Sequence, residues 1–96
     1  MVRHVLLLKV KAGIPEEQTA AALQGLEALV GVVPGLKAVE GGRNLGAEER
    51  ARGYTHGMVL TFEDLSAVQA YATHPAHVQA AVHVRACAEE MLVIDL

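Results

Sequence analysis

One 13-residue stretch concentrates side chains that can do acid–base chemistry. Residues 71–83, "YATHPAHVQAAVH", hold one tyrosine and three histidines in an otherwise apolar segment. A histidine exchanges protons near neutral pH, and a tyrosine hydroxyl can donate a hydrogen bond to developing negative charge. Such a pair could remove a proton alpha to a carbonyl and stabilise the enolate, which needs no cofactor. The competing interpretations are a metal site and ordinary helix packing.

The metal interpretation is the weaker alternative. His74 and His77 are three residues apart, and His4 and His56 could lie near them. However, Pro75 distorts the turn that carries the first pair, and the chain has no H-E-x-x-H pattern and one cysteine. We therefore expect no metal. His74, directly before the proline, is expected to start a helix, and His83 is expected to be exposed.

The proline decides whether Tyr71 and His77 can meet. A spacing of six residues places them on different faces of one continuous helix. Because the residue before a proline avoids helical angles, Thr73-His74-Pro75 is predicted to break the helix in two. Two short helices that cross could turn both side chains toward a pocket between helices and sheet. Packing of Tyr71 and a hydrogen-bonded core position for His77 remain the alternatives.

The remaining pattern predicts the elements that position these residues. Strands are expected over 2–10, 36–44, 54–62 and 91–96, and helices over about 15–33, 63–72 and 75–88. The order β-α-β-β-α-β predicts an α+β, ferredoxin-like protomer with a four-stranded antiparallel sheet. The length of 96 residues fits a single domain over 1–96.

Composition predicts that the chain associates with itself. Hydrophobic residues make up 52% of a chain too short to bury them all. The helices cover one face of the sheet, and the other face would carry Val5, Leu7 and Val59, with Leu92 and Ile94 from the last strand. Two such faces packed together would form a homodimer and close a dimeric α/β barrel.

Charge and hydropathy argue against other partners. The eight Lys and Arg residues are scattered and the net charge is -3, so nucleic-acid binding is not expected. The apolar run at Val5–Leu8 is too short to span a membrane. Cys87 is the only cysteine, which favours a reducing, cytoplasmic location.

Five segments together resemble one known family. "HVLLLKVKAGI", "VPGLKAVEGGRN", "GYTHGMVLTFED", "YATHPAH" and "MLVIDL" resemble the stress-responsive α/β-barrel (Dabb) domain family over about residues 3–96. The resemblance implies a ferredoxin-like protomer in a dimeric barrel. The family includes a plant polyketide cyclase that closes its substrate by an intramolecular aldol condensation. That resemblance implies His77 as base and Tyr71 as its assistant, with His4, His56 and Asp95 as further polar site residues.

The predicted pocket lies under the helices. Its apolar lining is expected from Leu6, Leu8, Leu23, Leu26 and Met58. The cyclase carries bulky aromatic residues at places that match Leu23, Leu26 and Ala88, so a different pocket shape is expected here. The alternatives to a small cyclase or lyase are a non-catalytic stress-associated dimer that binds a small apolar ligand, and a cofactor-free monooxygenase, which rests on fold analogy alone.

Overall fold

The computed structural model describes all of residues 1–96. The elements in chain order are β1 (Val2–Val10), α1 (Glu16–Glu27), β2 (Leu36–Arg43), α2 (Glu48–Ala51), β3 (His56–Phe62), α3 (Leu65–Thr73), α4 (Pro75–Cys87) and β4 (Ala88–Asp95). The predicted β-α-β-β-α-β plan is confirmed, with the second helical part divided as expected. The short helix α2, in the loop between β2 and β3, is an addition to the predicted elements.

Strand β1 lies inside the sheet, between β3 and β4. Its order is β2-β3-β1-β4, and every neighbouring pair is antiparallel. Leu6 of β1 pairs with Met58 of β3 on one side and with Val93 of β4 on the other. Because side chains alternate between faces, residues in register share a face. This order makes β4 an edge strand whose helix-facing side chains remain partly exposed.

Two element boundaries differ from the sequence prediction by more than two residues. Helix α1 ends at Glu27 instead of continuing to residue 33. The chain then runs through turns with i→i+3 hydrogen bonds, and Gly31 adopts a left-handed conformation with φ of 88°. Leu29 and Val33 are nevertheless buried, so their spacing reflected contact with the core and not helix. Strand β4 begins at Ala88, three residues earlier than predicted.

The core lies between the sheet and the long helices. In β3 the residues at positions 56, 58, 60 and 62 are all buried, which is the alternation of a half-buried strand. Phe62, Leu8 and Met58 are almost completely removed from solvent. Full burial of such side chains stabilises the fold by roughly 1.5–3 kcal/mol each. This packed layer is the platform on which α3 and α4 rest.

Local hydrogen bonds cap the start of α3 and the start of α4. The Asp64 carboxylate caps α3 by accepting from the Ala67 N–H at 2.8 Å. At the break, His74 has extended backbone angles, and its Nδ1 accepts from the Ala76 N–H at 3.1 Å. His74 is therefore the N-cap of α4, as its position before Pro75 predicted. The cap fixes the angle at which α4 leaves α3.

The face of the sheet opposite the helices is uncovered. Leu7 is 38% exposed, Leu92 51% and Ile94 55%. Val5 and Val59 pair across β1 and β3 on the same face and are half-buried. These five residues form the open face. No helix in the chain has both the length and the apolar character needed to cross a membrane.

Candidate active site

Tyr71 and His77 meet across the break. Tyr71 is in the last turn of α3, and His77 is in the first turn of α4. Their rings stack with centroids 3.9 Å apart and an interplanar angle of 32°. The Tyr71 ring also packs on Phe62 at 4.9 Å, so the pair rests directly on the core. The separation in sequence becomes contact in space because the cap at His74 turns the chain.

The hydrogen bond of His77 determines which nitrogen is free. Its Nδ1 lies 3.3 Å from the carbonyl oxygen of Ala72. A carbonyl oxygen only accepts, so Nδ1 carries the hydrogen and Nε2 of the neutral ring keeps its lone pair. Burial lowers the pKa of His77, and the charges of Arg85 and His4 lower it further, although backbone carbonyls oppose the shift. The neutral ring, with a basic Nε2, is thereby favoured at neutral pH.

Tyr71 keeps a hydroxyl that the protein itself does not use. The residue is 4% exposed, and burial raises the pKa of Tyr71 to about 12. The hydroxyl therefore stays protonated at neutral pH. The Tyr71 hydroxyl forms no hydrogen bond within the protein. Because every fully buried side-chain oxygen and nitrogen does have a partner, the Tyr71 hydroxyl oxygen cannot be fully buried and remains accessible to solvent. It is available to donate a hydrogen bond to a ligand.

A second polar pair stands beside these rings. His4 on β1 and Asp95 on β4 are direct cross-strand partners, and His4 Nδ1 lies 2.6 Å from Asp95 Oδ1. The carboxylate accepts from Nδ1, and this bond fixes the orientation of the His4 ring. The ring of His4 lies edge-on to that of Tyr71 at 5.7 Å. Strands β1 and β4 thus supply a His–Asp pair to the site that α3 and α4 build.

A cavity of about 240 Å³ opens next to this cluster, between α4 and the β1–β4 part of the sheet. Its volume equals that of roughly eight water molecules in the liquid. Met91 and Val93 of the edge strand β4 line the cavity and are exposed, so the cavity is open to solvent beside this strand. The residues that line the cavity are His4, Leu6, Leu26, His77, Ala81, Val84, Arg85, Met91 and Val93. Tyr71 stacks on the lining residue His77 and is not itself among them.

The structure does not gather all predicted pocket residues. Of the apolar set, Leu6 and Leu26 line the cavity, whereas Leu8 is 1% exposed in the packed core. Leu23 and Met58 instead line a separate hollow of about 180 Å³ under α1. This corrects the expectation of one shared pocket. The reason is that Leu8 is covered by helices, while the side chains beside β4 are not.

His56 is also separated from the His77 cavity. His4 pairs with Leu60 and His56 with Leu8, which places the two histidines four residues apart along the sheet, roughly 13 Å. His56 is buried in the hollow under α1, with Nε2 3.2 Å from Glu16 Oε1 and Nδ1 2.8 Å from Thr55 Oγ1. Both ring nitrogens are occupied, so His56 joins α1 to β3.

Arg85 is a cavity residue that the sequence analysis missed. With His77, Ala81 and Val84 it follows the spacing i, i+4, i+7, i+8, which defines one face of a helix. That spacing was the available signal. His83 points elsewhere and is exposed, as predicted. No group of three or more His, Cys, Asp or Glu side chains is arranged to hold a metal ion.

Comparison with known proteins assigns the chain to a family. The model of the Stress responsive A/B Barrel Domain family, Dabb, matches residues 2–96. The chain is 37% identical to a stress-response A/B barrel domain-containing protein of Arabidopsis thaliana over 98% of this chain and 86% of that protein. It is 34% identical to olivetolic acid cyclase of Cannabis sativa over 98% of this chain and 93% of that enzyme.

Solved structures agree with this assignment. A dimeric ferredoxin-like protein of unknown function from Jannaschia superposes with a TM-score of 0.86 at 29% identity, covering 99% of this chain and 96% of that one. The chain therefore belongs to the stress-responsive A/B barrel domain family.

Proposed function

We propose that this protein is a homodimeric, cofactor-independent cyclase or related lyase that acts on a β-keto compound. His77 is the general base, and the Tyr71 hydroxyl donates a hydrogen bond to the developing enolate oxygen. The observation that carries the proposal is a histidine that lines a largely apolar cavity with its Nδ1 bonded to the backbone, and whose ring stacks on a tyrosine that has a free hydroxyl. The 34% identity to a cyclase over almost the whole chain supports the reaction class.

The remaining polar residues complete this proposal. His4, held by Asp95, stands within ring contact of Tyr71 and lines the same cavity. It would bind a polar group of the substrate beside the base. The apolar walls exclude water, which strengthens every hydrogen bond to the reacting oxygen. The proposed substrate-binding set is thus His4, Leu6 and Leu26, with Asp95 holding His4, whereas His56 lies in the neighbouring hollow and takes no part.

The dimer belongs to the same proposal. The open face exposes apolar side chains that nothing in one copy covers. The Jannaschia protein with the same fold is dimeric. A second copy packed on this face would bury Leu7, Val59 and Leu92 and close the barrel. The cytoplasmic location inferred from the single buried cysteine remains a prediction.

The test measures proton abstraction from β-dicarbonyl compounds in D₂O, monitored by NMR as the loss of the α-proton signal. Poly-β-keto thioesters serve as substrates for ring closure. His77→Ala should lower the rate by roughly 10²–10⁴-fold, and Tyr71→Phe by roughly 10²–10³-fold. His83→Ala, an exposed histidine on the same helix, is the matched control and should leave the rate unchanged.

A further variant separates two roles of Tyr71. Tyr71→Phe keeps the ring that stacks on His77 and removes the hydroxyl, whereas Tyr71→Leu removes both. If the phenylalanine variant were fully active and the leucine variant were not, Tyr71 would position His77 and would not be a donor. Equal rates in the parent, His77→Ala and Tyr71→Phe would refute the catalytic proposal.

The second candidate is a non-catalytic stress-responsive dimer that binds a small apolar ligand. It is favoured by the lining of the cavity, in which six of nine residues are apolar, and by the absence of Tyr71 from that lining. The same experiment separates the two functions. Ligand binding without exchange of the α-proton would support the binder.

A further inference from the structure

We propose that Arg85 is the specificity-determining residue of the cavity, and that it selects ligands with a carboxylate on an apolar body. This inference rests on the proposed site and names its substrate class, a small β-keto acid. It begins from Arg85, an exposed residue that lines the cavity together with His77 and His4. Among the lining residues it is the only one with a permanent charge.

The charge of Arg85 has no partner in the chain. The four ion pairs of the protein involve His4, Lys9, Arg43 and His56, and Arg85 takes part in none of them. Arg43 at the other end of the sheet, by contrast, is 2.9 Å from Glu16. A guanidinium presents a planar fork of donors that fits a carboxylate with two parallel hydrogen bonds. An unpaired fork at a cavity wall is therefore suited to an anionic ligand.

Helix α4 sets how the ligand would lie. Arg85 follows His77 by eight residues, roughly 12 Å of rise along α4, but a helical side chain leans toward the N-terminus of its helix, and the charge of Arg85 acts on the His77 ring. The carboxylate of a β-keto acid is bonded to the α-carbon, so it would lie on the His77 side of the guanidinium. Ala81 and Val84, with Met91 and Val93 of β4, form the apolar walls for the rest of the ligand. The volume of about 240 Å³ restricts it to a small molecule.

Binding of a carboxylate would also act on the base. The charged or titratable groups that face His77 are Arg85 on α4, His4 on β1 with its partner Asp95 on β4, and Tyr71 on α3. The positive charge of Arg85 contributes to the low pKa of His77. A carboxylate that neutralises this charge would raise the pKa of His77 and make it a stronger base in the complex than in the free protein.

The test compares benzoylacetate with benzoylacetamide, which has nearly the same shape and no charge. Affinities are measured by NMR titration of the parent protein, Arg85→Gln, Arg85→Lys and Arg50→Gln. The last variant removes a charge of equal sign from α2, outside the cavity. The parent and Arg50→Gln should bind the acid roughly 10- to 100-fold more tightly than the amide. Arg85→Gln should abolish this preference, and Arg85→Lys should retain part of it.

A second readout is the titration of the His77 ring. Benzoylacetate should raise the pKa of His77 in the parent and not in Arg85→Gln. Equal affinity of the parent for acid and amide, retention of the preference in Arg85→Gln, or failure of both ligands to bind at millimolar concentration would overturn the inference. Because no turnover is measured, a protein that binds the acid selectively without abstracting a proton would refute the catalytic proposal alone. A protein that exchanges α-protons without any preference for charge would refute the role of Arg85 alone.

Discussion

Replacing Leu7 by glutamate tests the dimer directly. Leu7 is 38% exposed on the open face, and covering a leucine completely is worth about 1.5–3 kcal/mol. The exposed part therefore contributes roughly 0.6–1.1 kcal/mol in each copy, or about 1–2 kcal/mol for the two copies. Each introduced carboxyl group, if buried, must be neutralised at pH 7 from a pKa of about 4.3, which costs about 3.7 kcal/mol. The two copies together lose about 8–9 kcal/mol.

Half of this penalty already corresponds to about a 1000-fold weaker dimer, since 1.4 kcal/mol is tenfold. Sedimentation velocity or light scattering at micromolar concentration should show a dimer for the parent and a monomer for Leu7→Glu. Val82→Glu is the control, because Val82 is 58% exposed on α4, on the other side of the sheet. Circular dichroism should show that both variants fold. A monomeric parent, or a Leu7→Glu protein that remains dimeric, would refute the reasoning.

Two further predictions concern pH and backbone strain. Neutral His77 is the proposed base and its pKa is lowered from 6.5, so kcat/KM should rise with pH through a midpoint below 6.5. The rate should then stay level into alkaline solution, because Tyr71, with a pKa of about 12, remains protonated there. A midpoint above 6.5 would contradict this assignment of the base. Gly41 and Gly42 both have positive φ, of 150° and 154°, but only at Gly41 would a Cβ collide with backbone, at the Gly57 carbonyl oxygen. Gly41→Ala should be at least about 2 kcal/mol less stable than Gly42→Ala in thermal unfolding, roughly 8–16 °C in Tm, and equal Tm values would show that β2 can shift away from β3.

The parts of the fold that the sequence predicted are those set by local chemistry. The alternation in β3 and the break at Pro75 depend on neighbouring residues alone, so both were predicted correctly. The end of α1 was not, because Leu29 and Val33 contact the core from turns at a spacing that resembles a helix. Hydrophobic periodicity reports which residues are buried, and the hydrogen bonds that bury them can be of several kinds.

The candidate site was predictable to a lesser degree. Tyr71 and His77 are marked by residue type, His4 and Asp95 are implied by the family resemblance, and the structure brings the four together. The shape of the cavity was not, because it depends on which strand lies at the edge of the sheet. The edge position of β4 is what opens the cavity at Met91 and Val93 and leaves Leu8 in the core. Strand order follows from long-range pairing, which no short pattern reports.

The sheet is a single layer, with the candidate site on its helix-covered face and the proposed dimer interface on its open face. His77, Tyr71, His4 and Arg85 all lie on the side of the helices, and no residue of the open face reaches them. Two copies joined at their open faces would therefore carry two separate candidate sites that share no side chain. A mutation in the candidate site would leave the open face unchanged, and a mutation on the open face would leave the candidate site intact.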